Sequence, residues 1–284
     1  TEAILAASDP GDPPDPGTWA RWAQLMPHVL AADLGATDSP ALRELVRRVC
    51  WYLIERGDAR AARDLMIDLR RQWRDRLGAD HRHALMAAHY LAWALWELGR
   101  YAESRDLNQD TLERRRNVLG DDHPDSLNSA HNLAMDLRML GDARAARDLD
   151  QDTLDRYRRS EGRDHLSTLR SANNLAADLR ALGQPEDARE LDRDTLDHRR
   201  DVLGHDHPDT LNSAHNLAMD LRMLGDARAA RDLDQDTLDR RRQVLGHDHP
   251  DTLKSASNLE ADLCALDLAA QRHPCRDPAD GHLT

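Results

Sequence analysis

Phenylalanine is absent from these 284 residues, lysine occurs once, at Lys254, and aromatic residues make up only 4% of the chain. Strand-forming residues are too sparse for a sheet protein, and the dominance of Ala, Leu, Asp and Arg is the composition of a helical array. No run of eighteen apolar residues occurs, so no membrane-spanning helix is expected. The three cysteines, Cys50, Cys264 and Cys275, are odd in number and lack paired spacing, which argues against a secreted disulfide framework and fits a reducing cytoplasm better. A formal charge of −13 argues against wrapping nucleic acid or lying on an anionic membrane, although local basic faces can persist. The opening "TEAILAASDPGDPPDPGTW" has neither a charged start nor an apolar stretch of signal-peptide type. Its Pro, Gly and Asp cluster over residues 1–17 reads as a linker from an upstream domain.

What the chain does have is repetition. The string "HPDSLNSAHNLAMDLRMLGDARAARDLDQDTLDR" at 123–156 returns at 207–240 with one change, Ser126 to Thr210. Self-comparison gives a period of 42 residues, marked by His81, His123, His165, His207 and His249, with Ser39 one period earlier. Five units follow, 39–80, 81–122, 123–164, 165–206 and 207–248, then a half unit at 249–266. Residues 18–38, carrying "TWARWAQLMPHVL" with Trp22, Met26 and Val29 on one side, are expected to form a capping helix, and 267–284 a disordered tail.

Each unit holds two helical stretches broken at a glycine, as at Gly141. Pro124, flanked by Asp122 and Asp125, marks a helix start, because proline lacks only an amide that would be unpaired there. On a helical wheel Leu127, Ala130, Leu133, Ala134, Leu137 and Leu140 form one stripe of the first helix, and Ala143, Ala146, Leu149, Thr153, Leu154 and Tyr157 one stripe of the second. One pair cannot bury both stripes, so units must stack. The expected fold is an all-α, right-handed α-solenoid of 42-residue helix pairs.

The pattern Asn132, Leu133, Ala134, then Leu137, Gly141 and Ala146, resembles the tetratricopeptide signature, and the 42-residue length with "VLGHDHPDT" in the linker is similar to its kinesin-light-chain type. The N-terminal "LAASDPGDPPDPGTWARWAQLMPHVLAAD", taken with the repeats, resembles the C-terminal sensor arm of actinobacterial NB-ARC, or STAND-type, signalling ATPases. That resemblance implies an upstream nucleotide-binding switch in a parent protein. This chain contains no G-x-x-x-x-G-K-[ST] phosphate loop.

No enzyme is read here. Ser129 and Ser213 lie inside helices, Cys50 sits at an array end, and the carboxylates recur with the repeat as architecture does. The His milestones and the pairs His205 with His207 and His247 with His249 suggest metal only superficially, since stacked units hold equivalent positions roughly 8 to 10 Å or more apart. Helix-start capping is their expected work, and neither metal nor cofactor is expected. Asp150, Asp192 and Asp234 fall at the edge of the apolar stripe and should bond polar groups across the repeat interface.

The opposite face of the first helices forms a ladder: Arg47, Arg48 and Trp51; Met86, His89, Tyr90 and Trp93; Asn128, His131, Asn132, Met135 and Arg138. It continues with Arg170, Asn173, Asn174 and Arg180; Asn212, His215, Asn216, Met219 and Arg222; then Lys254, Ser257 and Asn258. The resemblance implies that these helices line a concave surface where the asparagine before each Leu-Ala pair bonds a peptide backbone or terminal carboxylate. The candidate peptide-binding residues are therefore Trp93, Asn128, His131, Asn132, Met135, Arg138, Arg170, Asn173, Asn174, Arg180, Asn212, His215, Asn216, Met219, Arg222 and Asn258. Arg138, Arg180 and Arg222 are expected to be exposed charges that contribute little to stability. The expected function is recognition of an extended or C-terminal acidic peptide by a sensor arm. The alternative is a structural or oligomerisation scaffold using convex faces and array ends.

Overall fold

The structure, a computed structural model, describes residues 2–13 and 15–272. Two compact units share the chain, Thr1–Thr153 and Leu154–Thr284. The first contains the short helix α1 (Glu2–Ala7), a 3-10 turn at Pro16–Thr18, α2 (Trp19–Leu30), α3 (Pro40–Glu55), α4 (Ala59–Leu77), α5 (Arg82–Glu97), α6 (Tyr101–Leu119), α7 (Pro124–Met139) and the start of α8 (Ala143–Ser160). The second contains the end of α8, then α9 (Leu166–Ala181), α10 (Pro185–Leu203), α11 (Pro208–Met223), α12 (Ala227–Leu245) and α13 (Pro250–Arg272). Among the described residues there is no strand, and no helix is long and apolar enough to cross a membrane. The fold class is the all-α solenoid of helix pairs.

Two segments at the ends differ from expectation. Residues read as a linker fold back onto α3: Leu5 is buried, and Arg48 donates to Asp9 and to the Gly11 carbonyl at 2.6 Å. Helix α13 runs beyond 266 to Arg272, and the remainder of the expected tail, 273–284, lies outside the described residues.

Helix ends follow the punctuation of the sequence. Each milestone histidine occupies an N-cap: the His123 ring accepts from the Asp125 amide at 3.1 Å, His165 from Ser167 at 3.3 Å and His207 from Asp209 at 3.1 Å. At the other end of α7, Gly141 takes φ +88°, a backbone conformation closed to most side chains. Its amide donates to the Arg138 carbonyl at 3.0 Å while the Asp142 amide reaches Leu137 at 2.9 Å, a Schellman stop. The Asp142 carboxylate then caps α8 through the Ala145 amide at 3.2 Å, so two residues end one helix and start the next.

The core is built in copies. In the second unit Leu196 of α10, Ala214 and Leu217 of α11, and the flanking Leu221 and Leu233 form one cluster across three helices. Leu112, Ala130, Leu133, Leu137 and Leu149 repeat it in the first unit at equivalent positions. The amino-terminal core is larger, with Trp22 stacked on Tyr52 at 5.7 Å and the Trp73 indole donating to the Leu34 carbonyl at 3.1 Å.

Between these clusters runs a buried polar interlock. In the second unit Arg180, at the end of α9, donates to Asp192 of α10 at 2.6 Å and to Asp220 of α11 at 3.0 Å, and both carboxylates are fully buried. Arg222 repeats the bridge to Asp234 at 2.6 Å and to Asp262 at 3.1 Å. Asp192 and Asp234 are thus bonded to a polar group as expected, but within their own repeats; the bonds that cross the repeat interface go to Asp220 and Asp262. The expectation that Arg180 and Arg222 are exposed charges is corrected: the Arg180 side chain is only 10% exposed, and each guanidinium bends back under its helix toward two acids. Where the first unit has Trp96 in the arginine position, Asp136 accepts instead from Ser104 at 3.0 Å and Asn108 at 2.7 Å, and burial pushes its carboxyl up to about 6.

A second set of arginines pins three of the repeats to the one that follows, while Trp73 and Tyr157 hold the equivalent position in the other two. Arg199 donates to the Asp209 carbonyl at 2.9 Å and Ser213 Oγ at 2.8 Å, and Arg241 to the Asp251 carbonyl at 3.0 Å and Ser255 Oγ at 2.7 Å. Arg115 does the same in the first unit, to Asp125 and Ser129.

Removing Arg222 leaves two buried acids without their cation, so Arg222→Ala should lower the unfolding free energy by about 3–5 kcal/mol in urea titrations. One arginine facing two acids leaves a surplus negative charge, and burial first, with Asp220 beside it, pushes Asp192 up to about 7 against the pull of Arg180. A raised carboxyl holds its proton in the fold and not in the unfolded chain, so its contribution is complete at low pH and disappears as pH rises through about 7. The urea midpoint of the wild type should therefore fall more steeply between about pH 4 and 7 than that of Asp192→Asn.

Candidate functional site

The first helices place the ladder residues on the faces left over once the leucine and alanine stripes are buried. In the first unit Trp93 is half-buried beside Trp51, with ring centroids 6.5 Å apart, and Tyr90, at 5.9 Å. Asn128 and Met135 are half-buried on α7, and the His131 ring nitrogen lies 3.6 Å from Asp150. Asn132 reaches back one repeat to the His89 ring at 3.1 Å. Arg138 is half-buried at the end of α7.

In the second unit Arg170 and Lys254 are exposed, and Asn174, Asn216 and Met219 are half-buried. Asn173 joins the interlock when its amide is turned so that the nitrogen faces Asp192: it then donates to that carboxylate at 3.3 Å and accepts from Arg199 at 2.9 Å. Asn212 accepts from Arg241 at 2.6 Å, and Asn258 meets the buried His215 ring at 3.0 Å. Arg180 and Arg222 hold the buried aspartates described above. The candidates thus divide into structural members, Asn173, Arg180, Asn212, His215 and Arg222, and residues with open surface, among them Trp93, Met135, Arg170, Asn216 and Met219.

Electrostatics fix which way the asparagines point. Burial, helped by Arg115 and Arg47, lowers His89 to about 3, and burial with Lys254, Arg241, Arg222 and Arg180 around it lowers His215 to about 4. Both rings are neutral, so each has an unprotonated nitrogen that accepts from the asparagine NH2. The amide oxygens of Asn132 and Asn258 are then the groups left to accept a hydrogen bond from outside.

Two features escaped the sequence reading. Glu55 and Glu97 accept from the indoles of Trp51 and Trp93, and the signal was a Trp–Glu spacing of four residues recurring 42 residues later. The pinning arginines Arg115, Arg199 and Arg241 were hidden among basic residues at helix ends. Among the described residues no group of three or more His, Cys, Asp or Glu side chains is placed to hold a metal ion.

The tetratricopeptide repeat model matches residues 94–159, 127–201 and 167–243, which together span more than half of the chain. The chain belongs to the tetratricopeptide repeat family. No curated protein matches it. Among solved structures, a singly substituted form of a putative kinesin light chain from Podosopora anserina with nearly identical repeats shares 25% identity, covering 71% of this chain and 93% of that one at a TM-score of 0.61. A Rap protein complexed with Competence and Sporulation Factor matches 96% of this chain and 74% of its own at 11% identity and TM-score 0.62. NprR in complex with its cognate peptide NprX matches 93% and 69% at 13% identity and TM-score 0.60. The last two are likenesses of fold.

Neutral, enclosed rings make a direct prediction. The His89 and His215 side-chain NMR signals should show no titration between pH 8 and 5. A midpoint near 6.5 for either would mean that its asparagine contact does not form.

Proposed function

We propose that this tetratricopeptide array is the recognition arm of a cytoplasmic signalling protein and that it binds an extended segment or free C-terminus of a partner along the faces of its first helices. The observation that carries the reading is the combination on those faces of half-buried asparagines and thioethers with exposed cations: Asn216 with Met219, and Arg170 with Lys254. An extended segment has unpaired backbone groups, and an asparagine amide offers both a donor and an acceptor to meet them. Arg170 and Lys254 are the cations that suit carboxylates in such a segment, because Arg180 and Arg222 already hold buried acids. The fold likeness to a Rap protein and NprR, each solved with a peptide or factor bound, supports a peptide as the ligand class.

The regulatory half of the proposal rests on the sequence resemblance to NB-ARC ATPases. In a parent protein of that kind, ligand capture by the arm favours one of two states of an upstream nucleotide-binding switch. Coupling would register as a ligand-dependent change in nucleotide hydrolysis by the parent.

Panning a randomised peptide library over the full chain tests the binding half. Ligands with carboxylates should emerge, and Arg170→Glu with Lys254→Glu should weaken them about ten-fold or more while barely moving the melting temperature, since exposed charges contribute only about 0–1 kcal/mol to stability. Asn216→Ala should cost about 0.5–1.5 kcal/mol of binding. Unchanged affinity in all these variants would rule out the first-helix faces.

A further inference from the structure

One aromatic cluster in the first unit is written in two successive repeats and in no other. Trp51 on α3 and Trp93 on α5 lie with ring centroids 6.5 Å apart and planes at 53°. Both indoles are half-buried, and Tyr90 stands 5.9 Å from Trp93. Four residues after each tryptophan comes a glutamate that receives its indole N–H: Trp51 donates to Glu55 at 2.8 Å and Trp93 to Glu97 at 3.1 Å. In later repeats the tryptophan position holds Met135, Ala177, Met219 and Ala261, and the glutamate position Met139, Ala181, Met223 and Ala265. Architectural positions recur through the array, and this pair does not.

The charges around the cluster are unequal. Arg47 lies over Trp51 at 5.8 Å, but its guanidinium is committed to Glu44 at 2.5 Å and to the Tyr90 hydroxyl at 2.9 Å. Arg48 is turned away to Asp9 and Gly11. Glu55 and Glu97 are exposed, and among the described residues neither has a cation within ion-pair distance. Each uses one carboxylate oxygen on an indole and keeps the other. Donation of the N–H to an anion also pushes electron density into the indole, which strengthens its attraction for a cation over the ring face.

We propose that the Trp51–Trp93 face is a subsite for a cationic side chain, an arginine or lysine carried by the extended segment that the array binds. This rests on the peptide-recognition reading above and gives the first unit a charge preference opposite to that of Arg170 and Lys254. The rings take the alkyl stem and the flat of the cation, while Glu55 and Glu97 accept its N–H donors. An acidic residue would be repelled here, and a neutral aromatic one would leave both carboxylates uncompensated.

The test is to pan a randomised peptide library over the full chain and, in parallel, over a Glu55→Gln, Glu97→Gln variant whose fold is checked by circular dichroism and melting. Both substitutions are at exposed positions, so the variant should fold as the wild type does. Wild-type ligands should carry arginine or lysine at one fixed position, that enrichment should vanish on the variant, and replacing the selected arginine by citrulline should weaken binding about ten-fold. Ligands without a basic position, or a basic preference that survives the double variant, would overturn the subsite alone. Failure to select any ligand would overturn both the subsite and the peptide-recognition reading.

Discussion

Each of Arg180 and Arg222 must satisfy two buried carboxylates that belong to different repeats, and the rest of the second unit depends on that demand being met. A leucine cluster alone would tolerate a helix sliding or rotating by part of a turn, because dispersion and apolar burial have little direction. A guanidinium held between two fully buried acids does not tolerate it, since a displaced carboxylate would be left uncompensated in an apolar setting. The alanines at the equivalent sites, Ala188 and Ala230, are fully buried and let the helices approach closely enough for the bridge to close. Packing thus provides the attraction between neighbouring pairs and the interlock fixes their register.

The period, the caps and the stripes were legible in the sequence because each is a local or periodic property. His123 and Gly141 stand where their chemistry requires, and Leu127, Ala130, Leu133 and Ala134 are buried as their spacing implies. The interlock was half legible: the position of Asp192 and Asp234 on an apolar stripe demanded a partner, but a helical wheel gives the direction of a Cα–Cβ bond and not the reach of a long side chain. Arg180 starts on the polar face and bends back under it, so its angle alone assigned it to solvent. Asn132 and Asn258 were misjudged less, since their ladder position holds although each amide also reaches the histidine one repeat earlier. Arg199 and Arg241 could not be singled out, because arginines near a helix C-terminus already have an ordinary explanation in the macrodipole.

Internal pairing also changes how the charge of the chain bears on a partner. A net charge of −13 describes the whole molecule, yet a ligand within hydrogen-bonding distance responds to the groups left without an internal counterion. By that measure the first-helix faces differ between the units, with Glu55 and Glu97 beside paired indoles in one and Arg170 and Lys254 in the other.

The bridge from Arg222 extends forward to Asp234 within its own repeat and to Asp262 in the next, as that from Arg180 does to Asp192 and Asp220, so the junctions after 206 and 248 are completed by the same residue types on either side. A coding segment of 42 residues lifted out and reinserted between two such repeats would bring an arginine for the acid ahead of it and an acid for the arginine behind it. Near-identical units also invite misaligned recombination at the level of the gene. A change of one whole unit would therefore leave each new junction satisfied as it forms, while a change of any other size would strand a buried charge.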